Sequence, residues 1–148
     1  MRLAALGAVA VLAVGTPTAY AVLDTDSSSA APSAAASRGK AYLETRLFFG
    51  TDRPDGGPPV TDKQFLAFVD RHITPRFPSG LTLQDGRGQW RDSNGVIETE
   101  RSYELTLLYP MSEAKVHDPA IERIRTAYER AYAQDSVARV DEPTKVDF

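Results

Sequence analysis

The amino-acid sequence predicts an α+β domain in which the elements follow the order β-α-β-β-α-β. Segments that alternate apolar and polar residues indicate four strands, and apolar residues at helical spacing indicate two helices. Each helical segment is both preceded and followed by a strand. This order is that of two split βαβ units, the ferredoxin-like arrangement, with a four-stranded antiparallel sheet and both helices on one face.

The N-terminus has the pattern of a secretory signal. Arg2 precedes a short apolar stretch, and Ala19-Tyr20-Ala21 matches a cleavage site. We expect residues 1–21 to be a cleaved signal peptide and the protein to be secreted, the alternative being retention at the membrane by an uncleaved N-terminal segment. Loss of Arg2 leaves 16 of the 17 Lys and Arg and all 20 Asp and Glu, a formal charge of −4.

Residues 22–41 are rich in Ser and Ala and contain almost no large apolar residue, so we predict a disordered tether there. Residues 42–148 are predicted to form a single α+β domain. The chain has no cysteine, which excludes disulfides, thiolate chemistry and a lipid anchor on cysteine. The mild acidity without a basic cluster excludes nucleic acid as a partner, and no stable membrane span is expected after signal cleavage.

The first strand and the first helix have clear boundaries. The segment LETRLFFG places Leu47 and Phe49 on one face of a strand, and a loop rich in Gly and Pro follows. Thr61 and Gln64 have the spacing of a reciprocal capping box. Apolar residues then recur at helical spacing as far as Ile73, and Pro75 ends the helix.

A hairpin comes next. Its first strand begins at Leu81, and Gly86 and Gly88 predict a bulge that changes the face on which Trp90 lies. After the turn sequence DSNG, one long strand alternates. Its predicted buried face consists of Ile97, Thr99, Arg101, Tyr103, Leu105, Leu107 and Tyr109, and its other face is predicted to be solvated.

The last two elements are a helix and a strand. Asp118 is a suitable N-cap with Pro119 at the first helical position, and His117 before it is predicted to be a surface residue. The strand from Val137 to Asp141 is predicted to lie at a sheet edge, because Pro143 cannot donate to a ladder.

Several segments resemble the successive signature stretches of a bacterial family known as domain of unknown function 3574. They are ETRLFFGTDRPDG, TPRFPSGLT, GQWRDSNG, ERS and QDSVARV, and they span Glu44 to about Val140 in the right order. The resemblance implies a small exported domain and no assigned activity. This chain departs from lipid-anchored members in lacking the anchoring cysteine, which favours release.

The candidate ligand-binding residues lie in the Gly/Pro loop, after the first helix and in the hairpin: Arg53, Arg76, Trp90, Arg91, Arg101 and Tyr103. Arg101 interrupts an apolar face, so it is expected either to pair with an acid such as Asp85 or to receive an anion. Trp90 is interpreted as a core or sheet-face anchor, an aromatic platform or a dimer contact.

No catalytic motif and no zinc pattern involving His72 or His117 is recognisable, so neither a cofactor nor a metal is expected. The leading prediction is a non-enzymatic exported interaction or binding module. Its expected partner is an unknown protein or a small anionic ligand, or a second copy of the chain in a homodimer through the open sheet face. The alternative is a small enzyme or anion-binding protein with an Arg-lined pocket beside the Gly/Pro loop and the bent hairpin. A cell-wall-associated module is a third reading.

Overall fold

The computed structural model describes residues 38–91 and 94–148. The elements are β1 (Lys40–Gly50), α1 (Asp62–Phe68) continued by a π-helical turn (Val69–Ile73), β2 (Thr82–Arg91), β3 (Ile97–Pro110), a short 3₁₀ turn (Met111–Glu113), α2 (Ala114–Tyr132) and β4 (Ala138–Val146). The predicted element order is confirmed. The predicted signal peptide and most of the predicted tether lie outside the described residues. The first strand begins at Lys40, two residues before the predicted start of the domain at residue 42.

The four strands form one antiparallel sheet in the order β2-β3-β1-β4. The α+β fold, with a ferredoxin-like arrangement and the proline-containing β4 at an edge, is therefore as predicted. In the described part of the chain, no helix has the length and apolar character needed to cross a membrane.

The strands divide cleanly between two faces. Odd-numbered strand residues such as Leu47, Phe49 and Leu105 face the helices and are fully buried. They pack with Phe65 and Tyr128 from the helices in one hydrophobic core. Even-numbered strand residues form the opposite side, which we call the open face.

α1 begins at its predicted capping box, and the helical segment ends ahead of Pro75 as predicted, although its last turn is not α-helical. Thr61 and Gln64 make both bonds of the capping box, so the start of the helix is fixed locally. The helix then widens into one π turn, in which the Thr74 N–H donates to the Val69 carbonyl over 3.0 Å, before it stops ahead of Pro75.

The predicted start of α2 is wrong. The helix begins at Ala114, and Pro119 lies inside it. Tertiary contacts explain the difference, since the His117 ring packs 5.1 Å from the ring of Phe77 and 4.7 Å from that of Tyr109. These contacts hold the first turn of the helix against the sheet, so His117 is half buried and not a surface residue.

The predicted bulge in β2 is also wrong. Each β2 residue from Thr82 to Arg91 is opposite a single β3 residue, without interruption. Trp90 therefore stays on the open face, which also excludes the core-anchor interpretation. Gly86 and Gly88 provide space instead of a kink: a Cβ at Gly86 would lie 2.9 Å from Ser102 Oγ, and one at Gly88 would lie 3.1 Å from Glu100 Cγ.

Candidate functional site

A cavity of about 620 Å³ lies on the open face, at the end of the sheet where β1 finishes. Strands β1, β2 and β3 form its base, and the segment between α2 and β4 forms one wall. Its main lining residues are Phe48, Gly50, Asp52, Gly86, Gly88, Trp90, Glu100, Ser102, Glu104, Gln134, Asp135 and Ser136.

The cavity exists because glycine occupies three positions on its base. A Cβ at Gly50 would lie 2.6 Å from Glu100 Oε1 and 2.9 Å from Gln134 Oε1, closer than real Cβ atoms approach other groups. Together with Gly86 and Gly88, this glycine lets polar side chains lie directly over the backbone.

Glu100 is the best-fixed polar group in the cavity. Its Oε2 accepts hydrogen bonds from the backbone N–H of Thr51 over 2.6 Å and of Asp52 over 2.7 Å. Gln134 Nε2 donates to the Asp52 carbonyl, and Tyr128 Oη donates to the Gly50 carbonyl over 2.7 Å. The chain that leaves β1 is thus held by groups from β3, α2 and the following segment, and the rim is preorganised.

The cavity is acidic. Among the described lining residues, Arg87 is the single base. Five acids line the cavity: Asp52, Asp85, Glu100, Glu104 and Asp135. The described open face as a whole carries more acids than bases. Its two bases are Lys40 and Arg46, and its five acids are Glu44, Glu98, Glu100, Glu104 and Glu142. This charge favours a ligand that is cationic or rich in hydrogen-bond donors.

Trp90 supplies an apolar wall beside these acceptors. Its side chain borders the cavity, and 43% of the residue is exposed. An indole with an accessible face can stack on a flat ring or attract a cation.

Arg101 and Tyr103, two of the predicted site residues, lie together on the helix face of the sheet. Arg101 forms ion pairs with Asp62 and, over 2.8 Å, with Asp85. Tyr103 Oη donates to Asp62 Oδ1 over 2.6 Å, while its ring stacks on Phe65 with the centroids 3.8 Å apart. The expected partner Asp85 is present, although the Arg101 side chain is 47% exposed and not buried.

The other predicted arginines do not converge with them. Arg53 pairs with Asp55 over 2.7 Å, Arg91 donates to the Gly95 carbonyl over 3.3 Å, and Arg76 donates to the His72 carbonyl over 2.6 Å. A depression of about 530 Å³ does lie between the Gly/Pro loop and the hairpin, but Arg101 is the one predicted arginine that lines it, together with Arg87.

Sequence reasoning missed Glu100 and the three glycines as site residues. The alternation of the sequence predicts a solvated position for Glu100, and the glycine pair predicts a bulge. A usable signal was present: Gly86 and Gly88 alternate on the face opposite Leu83, the arrangement expected where neighbouring side chains need space.

The Asp62–Tyr103 hydrogen bond has a measurable pH consequence. Burial, followed by the hydrogen bond to Asp62, raises the pKa of Tyr103 to about 12, and the Tyr103 hydroxyl and the Arg101 charge lower the pKa of Asp62. Because an unfolded tyrosine titrates near pH 10, the unfolded chain loses this proton first as the pH rises. The stabilisation is therefore complete below pH 10 and is lost between pH 10 and pH 12.

We predict that Tyr103→Phe flattens this alkaline loss. Between pH 10 and 12 the free energy of unfolding should fall by about 2 kcal/mol less in the variant than in the parent. The measurement is urea unfolding at closely spaced pH values. Parallel curves for the two proteins over this range would show that the Tyr103 hydroxyl titrates alike in the folded and unfolded chains.

Comparison with known proteins gives one family match and a set of structural relatives. The model of the family described as protein of unknown function (DUF3574) matches residues 44–148. A phage SAM lyase in complex with S-methyl-5'-thioadenosine is similar at 15% identity and a TM-score of 0.54, covering 73% of this chain and 92% of that one. The lyase in its apo state has a TM-score of 0.49 at 14% identity, covering 74% of this chain and 92% of that one.

A Bacillus cereus protein related to NIF3 shares 11% identity at a TM-score of 0.41, and the match covers 73% of this chain and 27% of that one. No curated protein matches the sequence. At these identities the similarity to solved structures concerns the fold alone.

Proposed function

We propose that this chain, which belongs to the DUF3574 family of proteins of unknown function, is an exported, non-enzymatic binding module. In this proposal the cavity on the open face binds a small molecule that carries a flat ring and either a positive charge or several hydrogen-bond donors.

The observation that carries the proposal is that a cavity floor made of glycine residues lies next to hydrogen-bond acceptors that are already held in position. Glu100 is held by two backbone N–H groups before any ligand arrives, so little ordering cost remains for binding. Trp90 offers a ring-sized apolar surface at the edge of the same cavity. Convergent polar groups beside an apolar wall are typical of small-molecule sites.

The similar phage lyase provides a first probe. Its structure contains S-methyl-5'-thioadenosine, a molecule with a flat purine and sugar hydroxyls that donate hydrogen bonds. We propose titrating the full chain with this nucleoside and with S-adenosylmethionine, which adds positive charge. The cationic ligand is expected to bind more tightly, because the cavity is acidic.

Trp90→Ala tests the ring-binding part of the proposal. Loss of stacking is expected to weaken binding of the cationic probe at least fivefold by calorimetry, since base–aromatic stacking contributes about 1–3 kcal/mol. Val140→Ala is the matched control, because Val140 is 38% exposed on the same face and does not line the cavity. Equal affinities for the two variants would argue against the site, and conversion of either probe to product would argue against a non-enzymatic role.

The anion-binding alternative is supported by one observation, the depression next to the Gly/Pro loop. Arg87 lines it and forms no ion pair within residues 38–91 and 94–148, whereas the guanidinium of Arg101 already contacts two carboxylates. Stabilisation of the parent but not of Arg87→Ala by a small dicarboxylate would favour this alternative.

A homodimer through the open face is a weaker proposal. A two-fold axis would place the same five glutamates of each copy against those of the other. Dimerisation at this face should therefore require acidic pH or high salt, which sedimentation velocity can measure.

A further inference from the structure

A groove of about 410 Å³ lies on the helical side of the domain, between α2 and the turn that follows α1. It shares no lining residue with the open-face cavity. Arg76 comes from the turn, and Arg123 and Arg130 come from α2. These two are seven residues apart, two helical turns, and therefore project from the same side of the helix.

These three guanidinium groups have no acidic partner among the residues that the structure describes. Within the described ranges, 38–91 and 94–148, none of them forms an ion pair, and Arg76 donates only to the His72 carbonyl. Glu122 is the one acid among the described residues that line the groove. Its carboxylate accepts from Arg125 over 2.8 Å and from Arg139 over 2.8 Å, so it does not neutralise the three arginines.

The neighbouring histidine responds to the same positive charge. His72 lines the groove and stacks on Phe68 with the ring centroids 4.7 Å apart. Burial, followed by the charges of Arg76 and Arg71, lowers its pKa. Concentrated positive charge in a chain whose net charge is −3 is best offset by a bound anion.

We propose that this groove binds a small free anion that carries phosphate groups. The planar guanidinium presents paired donors that match phosphate oxygens, and three of them around one groove suit a polyanion better than a single carboxylate. Thr126 lines the groove between Arg123 and Arg130 and adds a hydroxyl donor. The neutral His72 ring supplies a further hydrogen-bonding group at pH 7.

Calorimetric titration of the full chain with inorganic pyrophosphate tests the proposal. The parent is expected to bind, and Arg123→Ala/Arg130→Ala is expected to bind at least tenfold more weakly, with its unfolding midpoint unchanged because both side chains are exposed. Lys63→Ala, which removes an exposed positive charge outside the groove, should bind like the parent. Arg123→Lys/Arg130→Lys keeps the charge without the paired donors and should bind with intermediate affinity.

Two results would overturn the proposal: equal pyrophosphate affinity in the parent and in the double alanine variant, or binding to phosphatidylglycerol vesicles without binding to free pyrophosphate. Trp90→Ala separates this groove from the open-face cavity. It should bind pyrophosphate like the parent, so a failure at one site leaves the other testable.

Discussion

Phe65→Ala is expected to lower the free energy of unfolding by about 3–5 kcal/mol, the loss typical of a large buried aromatic residue. Phe65 is fully buried and lies between strand and helix aromatics. Its ring centroid is 3.8 Å from that of Tyr103, 5.4 Å from that of Phe49 and 6.1 Å from that of Tyr128. The total free energy of unfolding of a domain of this size is about 5–15 kcal/mol, so the variant should approach unfolding near 37 °C.

Urea unfolding of the parent, Phe65→Ala and Leu66→Ala measures this effect. Leu66 follows directly in α1 and is 49% exposed, so its replacement should change the stability by no more than about 0.5 kcal/mol. A similar loss in both variants would mean that the aromatic cluster is not the centre of the core.

Glu100→Ala is expected to destabilise the domain by about 2–3 kcal/mol and to abolish the ligand binding proposed for the open-face cavity. The substitution leaves the N–H groups of Thr51 and Asp52 without their acceptor, and Thr51 is only 2% exposed. A buried donor without a partner costs about 1–3 kcal/mol. The rim of the cavity would lose its anchor at the same time.

Glu98→Ala is the matched control, since Glu98 lies two residues earlier on the same face, is exposed and does not line the cavity. Its stability should stay within about 0.5 kcal/mol of the parent. Glu100→Gln should lose less stability than Glu100→Ala. Both backbone N–H groups donate to one carboxylate oxygen, and the amide oxygen of glutamine can take the place of that oxygen. If Glu98→Ala and Glu100→Ala were equally stable, the proposed anchor would be disproved.

The fold was readable from the sequence because its signals are local. The alternation through Tyr103, Leu105 and Leu107 gives the buried face of β3 directly, and the Thr61–Gln64 pair gives the start of α1. The start of α2 was not readable, because it depends on His117 meeting Phe77, a residue from another part of the chain. Local preference for proline at a helix start was outweighed by that contact.

The candidate site was harder to predict because its parts are distant in sequence. Gly50, Gly88 and Glu100 lie on three different strands and come together only in the final register. The register between two strands cannot be read from alternation alone. Alternation shows which face a residue lies on, but it does not show which residue of the neighbouring strand it pairs with. The prediction concentrated on arginines, and the structure pairs Arg53 and Arg101 with acids.

The acidic open face lies on one side of the domain, and the groove lined by Arg76, Arg123 and Arg130 lies on the other. Among the described residues, this separation of charge gives the domain an electric dipole component that runs across the sheet. Near a charged polymer at low ionic strength it should adopt a preferred orientation, and it should adhere to both cation- and anion-exchange resins despite its modest net charge. This behaviour should disappear as added salt shortens the range of the field to about 8 Å.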